Sequence, residues 1–364
     1  MQQKIKVLVT DDSFFMRKLI SDMLNDHPLI EVITTANNGM DLLEKLTQYS
    51  PDVITLDIEM PVMDGLTALE KMISNYPIPT IMLSSTTKEG AHNTIKAMEL
   101  GAIDFVPKPS GAISLDLYKV KEELISKIIH ASKVSMKNRK LLTLKTKAFD
   151  SIEKQNLEKK QEIQQPLKQK HENHEKTIIA IGTSTGGPRA LQQVLTSLPG
   201  NINAPIFIVQ HMPPGFTKSL SDRLNTLSKL TVVEAEHNMY VLQNTAYIAP
   251  GGYHMEVVKD NVDKLIIQLN QSPPIRGHRP AVDVLFQSIS LLDEWRKVVT
   301  VLTGMGNDGT LGIQAIKQKD NAYIIAESEV SSIVYGMPKS AKETGLVDEV
   351  AELNDIANVI LNNI

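Results

Sequence analysis

Ile178-Ile179-Ala180-Ile181-Gly182-Thr183-Ser184-Thr185-Gly186-Gly187-Pro188 passes from four apolar residues into a glycine-rich turn, and Ala190-Leu191-Gln192-Gln193-Val194-Leu195 follows with a helix-compatible pattern. An apolar run, an abrupt turn and a helix read as the strand-turn-helix unit of an α/β sheet. Such a turn lifts the Ser184 hydroxyl clear of the sheet. Its small neighbours let a carbonyl group approach the backbone, and the helix start offers unpaired N–H groups and a positive dipole end. That setting suits an oxyanion and hence a nucleophilic serine. It suits a bound phosphate equally well, so the stretch alone leaves both readings open.

Two further apolar runs decide between them. Ile206-Phe207-Ile208-Val209 leads to His211, and Val298-Val299-Thr300-Val301-Leu302 leads to Asp308. If these strands are parallel neighbours of the first, Ser184, His211 and Asp308 share the carboxyl edge of one sheet, where α/β enzymes build their sites. A hydroxyl, an imidazole and a carboxylate there suggest a nucleophile, its general base and the group that orients the base. The order Ser, His, Asp departs from the Ser, Asp, His order of the α/β-hydrolase fold. His254 and His278 are also available as bases and Asp283 as the carboxylate; His211 is preferred for its place directly after a buried-looking strand. Asp308 lies in Leu302-Thr303-Gly304-Met305-Gly306-Asn307-Asp308-Gly309-Thr310, where a helix cap is the plainer reading. The glycines there suggest close backbone approach, and the backbone N–H groups of Thr185 and Met305 are the candidate oxyanion donors.

Strand–helix alternation also governs residues 1–130. Ile5-Lys6-Val7-Leu8-Val9-Thr10 ends at Asp11-Asp12, a second strand ends near Thr35, a helix spans about Gly39 to Gln48, and Asp52-Val53-Ile54-Thr55-Leu56 ends at Asp57. In a parallel sheet these carboxylates converge on one crevice. Three of them repel unless a cation lies among them, and a hard divalent ion such as Mg²⁺ prefers oxygen ligands. Thr80-Ile81-Met82-Leu83 ends at Ser84, and Ile103-Asp104-Phe105-Val106 ends before Lys108, which adds a hydroxyl and a point charge. A phosphorylatable carboxylate, a metal and two donors for phosphoryl oxygens make a coherent set.

Residues 131–176 break the alternation. This stretch is rich in Lys, Glu, Gln and Asn and reads as a charged linker with partial helix over residues 151–164, while His171 and His174 lack the further ligands a metal site needs. Alternation resumes over 177–364. At 364 residues the chain exceeds one ordinary domain. It contains no cysteine, which removes disulfides and thiolate nucleophiles and fits a reducing compartment. With no apolar leader and no membrane-length run, it reads as cytoplasmic, without membrane insertion. A net charge of −4 and an aromatic content of 4% leave neither the field nor the stacking surfaces for a nucleic-acid partner.

Val9-Thr10-Asp11-Asp12-Ser13, Asp57-Ile58-Glu59-Met60-Pro61 with Asp64-Gly65, Ser84 and Lys108-Pro109 together resemble the receiver domain of two-component response regulators. The resemblance implies a flavodoxin-like fold, Asp57 as phosphoacceptor, Asp11 and Asp12 as metal carboxylates, Lys108 on the phosphoryl group and Ser84 with Phe105 as a switch pair. It also implies a histidine kinase as phosphodonor. The segments around Ser184, Gln210-His211-Met212-Pro213-Pro214-Gly215-Phe216-Thr217, Ile248 to Met255, His278 to Phe286, Leu302 to Gly309 and Tyr335-Gly336-Met337-Pro338 resemble the catalytic domain of the chemotaxis methylesterases, the CheB family. That resemblance implies a second doubly wound, mostly parallel α/β domain. It implies a Ser184, His211, Asp308 triad that hydrolyses glutamate methyl esters and deamidates glutamines on chemoreceptors without a cofactor. Thr183 stands where the family often has alanine, and Ala281 where serine is common.

Overall fold

The computed structural model describes residues 3–108, 114–134, 176–319 and 322–364. The linker helix expected over 151–164, and His171 and His174, lie outside the described residues. The chain divides into two units, Met1–Lys147 and Ala148–Ile364.

In the first unit five strands alternate with five helices: β1 (Ile5–Thr10), α1 (Phe14–Asn25), β2 (Ile30–Ala36), α2 (Gly39–Lys45), β3 (Val53–Asp57), α3 (Gly65–Asn75), β4 (Thr80–Ser84), α4 (Lys88–Leu100), β5 (Asp104–Pro107) and α5 (Ser114–Ala131). The sheet is parallel in the order β2-β1-β3-β4-β5. Every residue of β3 and β4 is buried, as expected for strands covered on both faces. Side chains start the helices: Ser13, Asn38, Asp64 and Thr87 each accept a backbone N–H of the first turn. Helix α2 stops at Lys45, because residues 46–48 pass into a turn rather than continuing to Gln48. Gly101 ends α4 in the left-handed region at φ 113°.

The second unit contains β6 (Thr177–Thr183), α6 (Gly187–Ser197), β7 (Ile206–Gln210), α7 (Phe216–Leu227), β8 (Thr231–Glu234), β9 (Thr245–Ile248), β10 (His254–Lys259), β11 (Leu265–Asn270), α8 (Val282–Ser290), β12 (Arg296–Val301), α9 (Thr310–Lys317), β13 (Ala322–Glu327), α10 (Met337–Glu343), β14 (Glu349–Ala351) and α11 (Ile356–Leu361). Seven strands form a parallel sheet in the order β14-β13-β12-β6-β7-β9-β8, and β10 and β11 form a separate antiparallel hairpin. Phe207, Tyr247, Val282, Phe286 and Val299 belong to its buried core. The chain first builds outward from β6 through β7 and then returns to lay β12 on the other side. Strand order therefore reverses between β6 and β12, as it does between β1 and β3 in the first unit, and a crevice opens at each reversal.

One close approach ties fold to site in the first unit. Gly65 begins α3 with its N–H on the Ile58 carbonyl at 2.9 Å, and a methyl group at that position would overlap the Asp57 carbonyl. Backbone on both sides leaves no flexible group to give way. Gly65→Ala is expected to cost the first unit about 2 to 3 kcal/mol, read as an earlier urea transition of that unit in the full-length chain.

Candidate active site and phosphoacceptor cluster

In the first unit the crevice between β1 and β3 holds Asp11, Asp12 and Asp57, with one carboxylate oxygen of each within 4.8 Å of the others. Lys108, just past β5, bridges two of them, with Nζ 2.8 Å from Asp11 Oδ2 and 2.7 Å from Asp57 Oδ2. Burial pushes the Asp57 carboxyl up to about 6, against the lowering effect of the Lys108 hydrogen bond and charge. For Lys108 the balance goes the other way: burial lowers its basicity, but the bonds to Asp11 and Asp57 outweigh it and the net shift is upward. One ammonium against three clustered carboxylates leaves negative charge in a partly dry crevice. An all-oxygen donor set of that kind fits a hard cation.

The two residues expected to form a switch have partners outside the acidic cluster. The Ser84 hydroxyl accepts from Thr94 Oγ1 at 2.6 Å and donates to the carbonyls of Gly90 (3.2 Å) and Ser85 (3.1 Å). Phe105 is buried, its carbonyl accepts from Lys127 Nζ at 2.5 Å, and the same ammonium lies 5.3 Å from its ring centroid.

In the second unit the three strand ends that carry serine, histidine and aspartate are neighbours in the sheet. β6 lies between β7 and β12, so Ser184, His211 and Asp308 follow three adjacent strands. His211 Nε2 and Asp308 Oδ2 are 2.8 Å apart. Asp308 also accepts three backbone N–H groups, from Val282 (2.7 Å), Asp283 (2.9 Å) and Gly309 (3.0 Å). The helix that follows this carboxylate, α9, has Gly309 as its N-cap and no side-chain cap bond, so Asp308 does not cap its own helix; it bonds the first N–H groups of α8 and the imidazole instead. Burial alone raises this carboxyl; the hydrogen bond and charge of His211 and the N–H groups of Asp283 and Val282 outweigh it and hold it at about 2.

With Nε2 engaged by Asp308, the second imidazole nitrogen is the one left for a proton acceptor role. Nδ1 is buried without a hydrogen bond, so the Ser184 hydroxyl is not bonded to it in this conformation. The His278 ring stacks on His211 with centroids 3.9 Å apart and planes 8° apart, which fixes the tilt of the imidazole from one face. His254 and Asp283 engage different partners. His254 donates Nε2–H to the Pro273 carbonyl at 3.2 Å, and Asp283 accepts Arg276 Nη1 at 2.8 Å and the Gly312 N–H at 2.9 Å.

The turn around Ser184 is held from both sides. Ser184 N–H donates to the Thr303 carbonyl at 3.0 Å, and the Ser184 carbonyl accepts from Gly187 N–H at 2.8 Å and Gln210 Nε2 at 3.0 Å. A methyl group at Gly304 would stand 2.5 Å from Met337 Sδ and 2.8 Å from Ser184 Cβ, so the loop after β12 packs directly on the serine. The next residue, Met305, has a backbone N–H with no acceptor among the described residues.

Sequence reasoning does not single out Gln210, Thr303 or Glu327. Glu327 closes β13 with 0% exposure; its Oε2 accepts Thr303 N–H at 2.8 Å and its Oε1 accepts Ser331 Oγ at 2.9 Å. Burial pushes its carboxyl from 4.5 up to about 7, against the lowering effect of the Thr303 N–H and the Ser331 and Ser332 hydroxyls. A signal does exist, because Tyr323-Ile324-Ile325-Ala326 ends in a carboxylate as Val53 to Leu56 ends in Asp57.

Two parallel sheets, one with an acidic cluster and lysine at its switch point and the other with serine, histidine and aspartate at its own, define a receiver unit joined to an α/β enzyme. Family models agree: one described as CheB methylesterase matches residues 179–360, and one described as response regulator receiver domain matches residues 7–118. The chain is 49% identical over 357 residues to a protein-glutamate methylesterase/protein-glutamine glutaminase of Geobacillus kaustophilus, covering 98% of both chains. It is 50% identical over 361 residues to the protein of the same name from Halalkalibacterium halodurans, covering 99% of both. Its second unit resembles the crystal structure of the Thermotoga maritima CheB methylesterase catalytic domain, with a TM-score of 0.50 and 41% identity over 52% of this chain and 99% of that one. The chain belongs to the CheB methylesterase family, carries a response regulator receiver domain, and is a hydrolase. Among the described residues no helix is long and apolar enough to cross a membrane.

The raised carboxyl of Glu327 has a measurable consequence. A group whose folded pKa lies above its unfolded value binds its proton more tightly when folded, so stability falls as pH rises between the two values. For Glu327 that window runs from 4.5 to about 7. Glu327→Gln removes the ionisation, so its stability relative to wild type should improve by about 3 kcal/mol between pH 4.5 and pH 8, as measured by denaturant unfolding at both values.

Proposed function

We propose that the chain hydrolyses γ-methyl esters of glutamate on the cytoplasmic helices of chemoreceptors, releasing methanol, and deamidates receptor glutamines, with Ser184 as nucleophile. Residues 1–130 serve as receiver, 131–176 as linker and 177–364 as catalytic domain in this reading. The observation that carries it is the His211–Asp308 hydrogen bond at 2.8 Å on the strand ends flanking Ser184. The names of the full-length relatives supply the substrate class.

His211 Nδ1 takes the Ser184 proton as the hydroxyl attacks the ester carbonyl; catalytic hydrogen bonds of this kind often tighten only in the reacting complex. Asp308 keeps the proton on Nε2 and stabilises the imidazolium. The tetrahedral oxyanion is met by the N–H groups of Thr185 and Met305. His211 then protonates the leaving oxygen, methanol departs, and an acyl-serine remains. Water, deprotonated by His211, attacks that ester and restores the carboxylate and the serine. With a glutamine side chain the leaving group is ammonia and the remaining steps are the same. None of these steps calls for a cofactor.

In the receiver, Asp57 is the phosphoacceptor and a chemotaxis histidine kinase the donor. Asp11, Asp12 and Asp57 would hold Mg²⁺, which when bound neutralises phosphoryl oxygens. Lys108 supplies a second positive charge to the same oxygens. Ser84 leaves Thr94 and Gly90 to meet the phosphoryl group, Phe105 shifts with it, and the change relieves inhibition of the esterase.

Ser184→Ala in the full-length protein is expected to lower methanol release from methyl-labelled receptor by a factor of at least about 1,000; release at the wild-type rate rules out Ser184 as nucleophile. With acetyl phosphate as donor, wild-type release should accelerate while Asp57→Asn stays at its unstimulated rate. Equal acceleration of both proteins would remove Asp57 from the regulatory role.

A further inference from the structure

Thr303 makes every main-chain and side-chain hydrogen bond it can toward the serine turn and its support. Its carbonyl accepts Ser184 N–H at 3.0 Å and Thr183 Oγ1 at 2.9 Å. Its hydroxyl donates to the Thr185 carbonyl at 2.9 Å and accepts Val334 N–H at 3.0 Å. The two peptides on either side of Ser184 and Thr185 are therefore set by one residue. That residue lies past the end of β12, so no strand ladder fixes the plane of its own peptide. Its N–H is fixed instead by Glu327 Oε2 at 2.8 Å.

Glu327 is held in turn by Ser331 Oγ at 2.9 Å, and Ser331 Oγ accepts Leu353 N–H at 3.0 Å. Among the described residues the carboxyl has no ion pair with a basic side chain, so it is not retained as half of a salt bridge. A buried carboxyl without such a partner is costly, and a leucine or methionine would fill the same volume without that cost. What neither would supply is an acceptor for the Thr303 N–H.

We propose that Glu327 is a positioning residue for the esterase reaction, acting through Thr303 to aim the Thr185 N–H at the developing oxyanion. The inference rests on the reading of Ser184 as nucleophile. Glu327 touches no substrate, so its loss leaves substrate binding in place. The oxyanion exists only beyond the ground state, and a donor aimed away from it lowers kcat without moving KM.

The test compares full-length wild type, Glu327→Met, Glu327→Gln, Thr303→Val and Ser184→Ala in methanol release from methyl-labelled receptor. Glu327→Met removes the acceptor at similar volume and should lose at least about tenfold in kcat with KM within twofold. Glu327→Gln should stay within threefold of wild type, its carbonyl oxygen replacing Oε2 and its amide donating to Ser331 Oγ, while that hydroxyl turns to the Ser328 carbonyl, which lies 3.5 Å from it. Thr303→Val keeps the N–H to Glu327 and loses the hydroxyl bonds to Thr185 and Val334, and should show the same fall in kcat at unchanged KM. It carries the test should Glu327→Met not fold. A folded Glu327→Met or Thr303→Val with wild-type kcat overturns the proposal, as does a Glu327→Gln as impaired as Glu327→Met. Ser184→Ala at the wild-type rate takes down both readings at once, which separates that failure from failure of this inference alone.

Discussion

A carboxylate can sit in the dry interior of a sheet only if every oxygen is met by a donor, and Asp308 is met by four: the imidazole of His211 and the N–H groups of Val282, Asp283 and Gly309. The loop after β7, the start of α8 and the loop after β12 are thereby tied to one group. A carboxylate deprived of these partners would have to leave or take up a proton, so the arrangement is all or nothing. The low pKa of about 2 reflects that completeness, because donors win over burial there. Glu327 shows the opposite balance two strands from Ser184, with fewer donors, no basic partner among the described residues and a carboxyl near 7.

The same topological logic serves two different chemistries. In each unit the strand order reverses beside the first strand, and polar side chains from the strand ends fill the crevice. The receiver places carboxylates and one lysine there, a set that attracts a cation and phosphoryl oxygens. The second unit places a hydroxyl, an imidazole and the Asp308 carboxylate there, with Asp283 beside it. Parallel strands buried on both faces are mostly apolar along their length, with exceptions such as Thr55, Lys297 and Thr300, so most of the polar side chains gather at their ends.

This also explains what is legible in the sequence. Long apolar runs ending abruptly in Asp12, Asp57, Ser184, His211 or near Asp308 announce buried strands and mark their active edge in one stroke. The β10–β11 hairpin and the short strands β8 and β14 escape such a reading, because half-buried or three-residue segments such as Glu349–Ala351 carry no run long enough to stand out. Choosing among three histidines depends on contacts across the fold: His278 lies on the face of His211, and His254 turns to the Pro273 carbonyl. Glu327 and Thr303 escape notice for a related reason. Their role is to hold backbone, and a residue that holds backbone resembles any other until its partner is known.

Gly187 and Gln210 hold the Ser184 carbonyl, but two other supports of the turn come from much later in the chain: Thr303 fixes the Ser184 amide and Gly304 packs on its side chain, both just past β12. A ribosome extrudes the serine, Gly187 and Gln210 long before it extrudes Thr303 and Gly304. An ordinary alcohol on an unfinished polypeptide is a feeble nucleophile, so a chain cut short before β12 carries the serine without the residue that fixes its amide.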